Sequence, residues 1–262
     1  MSKKPASLGL DRRFVTRAMA AAGGAVLAGC ERVAEQPAIR GFVQSAEGLN
    51  LRLQRLLQNR TALAQEFTPA DISPVFKANG ETYPSTPEYE HLANRDFAEY
   101  RLEIGGLVER PLSLSLADLR AAPARSQITR HDCVEGWSCI GQWKGARLGP
   151  LLQRAGLKPQ ARYVVFWCFD EWDGPPGRGQ PYYESIDLID AFHPQTILAY
   201  EMNGEVLPIA HGAPLRLRVE RQLGYKMAKY IRRIEAVESF AHIADGRGGY
   251  WPDRGYEWYA GI

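Results

Sequence analysis

Cys133 stands in the run Arg130-His131-Asp132-Cys133-Val134-Glu135-Gly136-Trp137-Ser138. A thiol flanked by Arg130 and His131 is expected to ionise readily, as a nucleophile or as a ligand for a soft or high-valent metal. Arg130 and His131 complete the candidate reactive centre. Two other segments carry complementary chemistry. Pro74–Gly80 holds Phe76, Lys77 and Asn79 in an irregular stretch, where Lys and Asn suit an anion. His211-Gly212-Ala213-Pro214-Leu215-Arg216 is followed by Gly224-Tyr225-Lys226-Met227-Ala228-Lys229. Glycines there permit close backbone approach, and Arg216, Lys226 and Lys229 supply cations, the combination a phosphate needs. None of these runs matches a dinucleotide glycine fingerprint or a P-loop.

The elements that must position these groups read as short strands with scattered short helices. Strands are expected over 97–104, 126–129, 163–169, 197–202, 206–209, 214–220 and 229–238. The run 163–169 is continuously apolar and β-branched, as a buried strand is. Asn203-Gly204 is a type I′ hairpin signal. Helices are expected over 114–119, with Ser115 as N-cap and Asp118 three residues on, and over 148–155, closed by Gly156 and Pro159. Residues 188–192 form a short helical piece. Residues 45–66 carry Leu at helical spacing, and residues 68–92, rich in Pro, are irregular. The Gly- and aromatic-rich tail from 246 is expected to wrap the surface. Together these features give an α+β fold rather than a βαβ array.

The chain of 262 residues is 45% hydrophobic and 24% charged, with a formal net charge of +2. This suffices for one large core, and its near-balanced charge leaves no electrostatic footprint for nucleic acid. Arg12-Arg13, then the Ala- and Gly-rich 18–28, then Leu27-Ala28-Gly29-Cys30, read as a twin-arginine and lipoprotein export signal over 1–29. The apolar stretch is too short to span a bilayer, which takes roughly 20 residues. Cys30 is then the lipidated anchor, 30–67 a tether and helix, and 68–262 the functional domain, exported to the periplasm. Of the remaining thiols, Cys139 and Cys168 suit small core positions.

The order F-K-x-N-G, R-H-D-C-V-E-G-W-S, H-G-A-P-L-R-L and G-Y-K-x-x-K-x-I-x-R-I-E, from about Ile72 onward, resembles the molybdopterin domain of the sulfite oxidase family. It is nearest to exported single-domain bacterial members, the group of the periplasmic methionine-sulfoxide reductase catalytic subunit. The resemblance implies a sulfite-oxidase-type fold of mixed sheets and short helices. It implies a molybdenum–molybdopterin cofactor with Cys133 as the protein ligand of the metal. Phe76, Lys77, Asn79, Cys168, His211, Arg216, Lys226, Met227, Ala228 and Lys229 then hold the cofactor. Two-electron oxygen-atom transfer is implied, with electrons exchanged with a separate haem or quinone-linked membrane partner. Few residues follow the last expected strand, so the C-terminal immunoglobulin-like dimerisation domain of sulfite-oxidising members is expected to be missing, and a monomer is expected. Trp172, Tyr182, Tyr183, Trp251 and Tyr256 are candidates for the substrate funnel.

Two other readings compete. One is a non-catalytic lipoprotein module that keeps the fold. The other is a cysteine hydrolase pairing Cys133 with His131, two residues apart and so on one face of a strand.

Overall fold

The computed structural model describes residues 49, 52–54, 59–175 and 177–262. The export signal, Arg12, Arg13, the Cys30 anchor and the tether lie outside them. The chain divides after Leu53 into two units, and the second, from Gln54 to Ile262, holds the sheets and the candidate site. Among the described residues no helix is long and apolar enough to cross a membrane.

In chain order the elements are α1 (Pro87–Ala93), β1 (Arg101–Gly106), β2 (Leu112–Ser115), α2 (Leu116–Ala121), β3 (Ala124–Asp132), β4 (Ser138–Arg147) and α3 (Leu148–Ala155). Then come β5 (Tyr163–Trp172), β6 (Gln180–Asp187), α4 (Leu188–Ala191), β7 (Ile197–Met202), β8 (Glu205–Val206), β9 (Arg216–Arg218), β10 (Ile231–Val237) and α5 (Tyr250–Asp253). One sheet runs β2-β1-β10-β5-β6, with β1 and β10 parallel and its other neighbours antiparallel. The other runs β3-β4-β7-β8, with β9 also on β7. This is an α+β fold of two mixed or antiparallel sheets with short helices.

Local rules account for several elements. Ser115 Oγ accepts from the Asp118 amide at 3.1 Å while the Asp118 carboxylate accepts from the Ser115 amide at 2.9 Å, a capping box that starts α2. Helix α3 buries Leu148, Leu151, Leu152 and Ala155, one face at helical spacing, and ends at Gly156 with φ 72°. Asn203 and Gly204 both take positive φ, 52° and 85°, as the turn between β7 and β8 requires. Three strands escape the sequence reading, β2, β4 and β6. The first is four residues long and its last two, Leu114 and Ser115, fall in the helix expected over 114–119; glycines 141 and 145 interrupt the second, and a Gly/Pro-rich approach hides the third. The helix expected over 45–66 does not reach its end: residues 61–67 are non-helical, with Glu66 bridged to Thr129 of β3.

Candidate active site

Cys133 follows the last residue of β3, at the base of a tight loop back into β4. Its amide donates to Trp137 O at 2.9 Å and its carbonyl accepts from Gly136 at 3.0 Å, with Gly136 at φ 86°. β7 pairs with β4 only from Trp143 onward, so the edge of β4 near Ile140 is free for another segment. Ser73 takes it: its amide donates to Ile140 O at 3.0 Å, and its Oγ accepts from the Ile140 amide at 2.9 Å. This lays Pro74–Gly80 beside the Cys133 loop. Phe76 packs against Gly141, where a Cβ would sit 3.1 Å from the ring. Asn79 Nδ2 then lies 3.9 Å from Cys133 Sγ.

The third segment closes the site from the other side. Leu217 N donates to Ala228 O at 2.8 Å and Ile231 N to Leu215 O at 3.0 Å, so β9 and the Met227–Ile231 stretch run together. Arg216 Nη1 donates to His211 O at 3.0 Å. Lys229 Nζ donates to Asn79 O at 2.8 Å, to Ala210 O at 3.2 Å and to Glu81 O, so one ammonium ties the third segment to the first. Tyr230 OH adds a bond to Glu81 O at 2.9 Å.

These segments surround a cavity of about 250 Å³. Of the residues singled out in the sequence, Asn79, Cys133, Arg216, Met227 and Lys229 line it, with Trp172, Tyr182, Trp251 and Tyr256 from the aromatic set. The others fall elsewhere, for physical reasons. Arg130 points to the opposite face of β3 from His131, is exposed, and pairs with Asp132 at 2.8 Å. His131 is buried behind the site, its Nδ1 accepting from Arg218 Nη1 at 3.0 Å. That bond puts the ring proton on Nε2, which has no protein partner and faces Gly224, where a Cβ would lie 2.4 Å away. Lys77 is on the surface, over the Trp137 ring at 5.1 Å and 3.5 Å from Glu135. Lys226 is fully buried and bound to Glu184 at 2.5 Å, an ion pair rather than a free cation. Cys168 and Ala228 are core residues. Phe76 and His211 support the wall with rings 5.6 Å apart. Tyr183 leaves the cavity because β6 alternates: Tyr182 faces in, while Tyr183 OH donates to Asp253 at 2.5 Å.

Two acidic residues in the wall were absent from the sequence reading. The β5–β6 register slips between Trp167 and Glu171, and this bulge puts Asp170 and Trp172 on the cavity side. Asp170 Oδ2 accepts from Trp172 Nε1 at 3.0 Å, while its buried Oδ1 has no protein partner. Glu81 enters through the irregular stretch.

Burial dominates the electrostatics. It pushes the Cys133 thiol up, opposed by the backbone amide of Glu135, aided by the Glu135 charge and opposed again by Lys77 and Asn79; the lowering expected from Arg130 and His131 does not arise, since neither side chain faces it. Burial and the neighbouring Arg218 bring Arg216 down to about 9, and burial with Arg216 brings Lys229 down to about 7. Asp170 is pushed up to about 6, chiefly by burial. His211 is pushed down to about 4 by burial and then by Arg216 and Lys229. Between pH 4 and its ordinary value near 6.5, His211 is protonated in the unfolded chain and neutral in the fold, so stability drops as pH falls through that window. His211→Gln is therefore expected to narrow the gap in melting temperature between pH 7.5 and pH 5 relative to the parent. Asp170 and Glu184, whose raised values act in the opposite sense, are common to both proteins and cancel in the comparison.

The family described as "Oxidoreductase molybdopterin binding domain" matches residues 89–242. A relative described as "Putative protein-methionine-sulfoxide reductase subunit YedZ1" from Azospira oryzae is 35% identical over 254 residues, 95% of this chain and 87% of the relative. The chain belongs to the molybdopterin-binding oxidoreductases. This oxidoreductase is also 37% identical over 151 residues to "Protein-methionine-sulfoxide reductase catalytic subunit MsrP" of Xanthomonas axonopodis pv. citri, across 55% of its own length and 47% of that protein. The MsrP of Gluconobacter oxydans gives 38% over 147 residues, 53% and 47% of the two chains. The match thus spans about half the length of these MsrP relatives. The sulfane dehydrogenase SoxCD of Paracoccus pantotrophus aligns at 24% identity with a TM-score of 0.47, over 58% of this chain and 45% of that one.

The residues fit a molybdenum–molybdopterin cofactor. Among the described residues no group of three or more His, Cys, Asp or Glu converges on one point; a molybdenum–molybdopterin cofactor brings its other ligands with it and would need one protein donor. Cys133 is the thiol that lines the cavity. Unpartnered buried polar atoms also gather in or beside the wall: Asp170 Oδ1 as acceptor, and Arg216 Nε and His131 Nε2 as donors. A donor-rich pterin and an anionic phosphate need groups of both kinds.

Proposed function

We propose that this molybdopterin-dependent oxidoreductase reduces organic sulfoxides, with methionine sulfoxide in proteins as its substrate class, using electrons from a separate membrane-borne haem or quinone-linked carrier. The observation that carries the reading is a cavity with Cys133 in one wall and tryptophan and tyrosine rings in another. The names of the Azospira and MsrP relatives support the substrate class. When bound, the cofactor supplies two-electron oxygen-atom transfer. Overall, a sulfoxide takes two electrons and two protons and leaves as a thioether and water.

In this proposal Cys133 holds the metal. Arg216, with the backbone of Gly224 in the same wall, holds the anionic end, and Asp170 accepts from the pterin. Lys229 does not act as a free cation. Its three hydrogen bonds lock Asn79, Glu81 and Ala210 around the cavity, and so keep Asn79 beside the thiol. Asp170, near pH 6 in its titration, is a proton reservoir of the right range for a reaction that consumes protons. The twin-arginine and lipobox runs support a folded, cofactor-loaded export product anchored at Cys30 on the periplasmic side.

The test is a dye-linked assay on protein purified with its cofactor. Reduced benzyl viologen is expected to be oxidised on addition of methionine sulfoxide. Sulfite oxidation with ferricyanide as acceptor, with no sulfoxide reduction, would overturn the proposal.

A further inference from the structure

The tail beyond residue 242 lies outside the family match, yet it builds part of the cavity wall. It is fastened on both sides of the site. Tyr250 OH donates to Asp173 at 2.7 Å and Trp258 Nε1 to Ser185 Oγ at 2.8 Å, which hold it to the β5–β6 hairpin and its connection. Tyr225 OH donates to Glu257 O at 2.6 Å and Leu223 N to Ala260 O at 2.9 Å, which hold it to the stretch before Met227. Between these ties the tail presents Trp251 and Tyr256, stacked at 5.1 Å with 29° between their planes. Trp251 meets Trp172 edge-on at 5.8 Å. Trp172 in turn lies over Gly80, where a Cβ would sit 3.5 Å from its ring, next to the Asn79 that approaches Cys133. An aromatic track of Trp172, Trp251 and Tyr256 therefore runs from Gly80, beside the Asn79 that approaches the sulfur, to the tail.

The exposures show where this track opens. Asp170, Arg216 and Met227 are buried in the depth of the cavity, whereas Tyr256 is 38% and Val134 48% exposed. The mouth thus lies between the Cys133 loop and the tail, with an apolar side chain on one lip and stacked aromatics on the other. The cations in the wall, Arg216 and Lys229, sit in the depth, away from the mouth, and the Lys229 ammonium is committed to three backbone carbonyls. Such a mouth suits a polarisable sulfur with a hydrocarbon arm, since sulfur and methylene groups pack well on ring faces and edges. It offers little to a small hydrated anion.

We infer that Trp251 and Tyr256 are specificity-determining residues, which hold the hydrocarbon arm of an organic sulfoxide in the mouth and so favour a sulfoxide-bearing side chain over a small substrate. The inference rests on the sulfoxide reading above and names the part of the chain that selects among sulfoxides.

The experiment compares the loaded parent enzyme with Trp251→Ala and Tyr256→Ala, using reduced benzyl viologen and two substrates. These are a short peptide containing methionine sulfoxide, and dimethyl sulfoxide, which has no arm to hold. Each variant is expected to raise KM for the peptide about 5- to 10-fold, the size expected from exposing one or two methylene groups of the arm, with the loss in KM rather than kcat. KM for dimethyl sulfoxide is expected to change less than about 2-fold. Equilibrium binding of the same peptide carrying methionine sulfone, which reports affinity without turnover, is expected to weaken by the same factor as the peptide KM. Tyr256→Ser, at the most exposed ring of the track, gives the same comparison if the buried end of the tail tolerates truncation badly. Equal shifts for the two substrates, or none for either, would overturn the inference. If the parent reduces no sulfoxide at all, the reaction assignment fails; if the parent is active and discrimination survives in every variant, the tail inference alone fails.

Discussion

Cys133→Ala is expected to leave a folded protein that retains no molybdenum and has lost oxidoreductase activity by well over 100-fold. The bound is reasoned from weaker perturbations, because removing a group that merely orients a metal ligand already costs about 10- to 100-fold in affinity or activity. In the proposal above the substitution removes the protein's own donor. No cluster of His, Cys, Asp or Glu among the described residues stands in reserve. Cys139 and Cys168, the other described thiols, are buried, and neither lines the cavity. The fold should tolerate the change. Cys133 Sγ makes one weak polar contact, 3.9 Å from Asn79, and the loop is held by its backbone bonds to Gly136 and Trp137. Metal analysis of purified parent and variant, alongside melting curves, checks this. A variant that keeps a full complement of molybdenum would remove Cys133 from the role. The raised thiol titration sharpens the point: without a metal this cysteine is a poor nucleophile, and His131, committed to Arg218, is not aligned to activate it. The hydrolase reading loses its pair of residues on geometry alone.

The sequence made some of this legible and hid the rest, and the division follows the range of the forces involved. The α2 capping box, the α3 stripe with its terminal glycine and the Asn203-Gly204 turn depend on residues a few positions apart, and each is formed as expected. The order of the motifs foretold that Asn79, Cys133, Arg216 and Lys229 would meet. Their meeting depends on an edge of β4 left free for Ser73, and β4 itself, broken by Gly141 and Gly145, went unread. Lys226 looked equivalent to Lys229 because both are lysines beside glycine and aromatic residues. What separates them is Glu184, on a strand hidden behind a Gly/Pro-rich run, which neutralises Lys226 in the core. Asp170 was invisible for a related reason, since only the slip in β5–β6 pairing puts it in the cavity wall. Arg130 and His131 were misplaced through alternation: on β3 one faces solvent and the other the interior, and neither faces the thiol.

The largest effect on stability is expected from Glu220→Ala. Arg216 and Arg218 both lie against one indole, their guanidinium carbons 4.9 and 4.5 Å from the centre of Trp143. Two buried cations around one ring hold only if one is neutralised. Glu220 does this with a two-point pairing to Arg218, at 2.9 Å from Nε and 2.6 Å from Nη2, both side chains fully buried. Its Oε1 also accepts from Gln127 Nε2 at 2.8 Å. Alanine at 220 would leave a desolvated guanidinium without its counter-charge and Gln127 short of an acceptor. Breaking such a pair by removing one partner costs about 3–5 kcal/mol, which lowers the melting temperature by roughly 10 °C in a domain of this size. Replacing both members with apolar residues, as in Arg218→Met with Glu220→Leu, is expected to cost less than Glu220→Ala alone, because no buried charge is stranded. The effect should also reach the active site. Glu220 supports the charge of Arg216, which Arg218 and burial already weaken, and Arg216 lines the cavity that holds the cofactor's anionic end in the proposal above. Glu220→Ala should therefore lose molybdenum on dilution faster than the parent, at temperatures where both are folded. A variant that melts lower yet keeps its cofactor as firmly would show that the pair supports the sheet and not the anion grip.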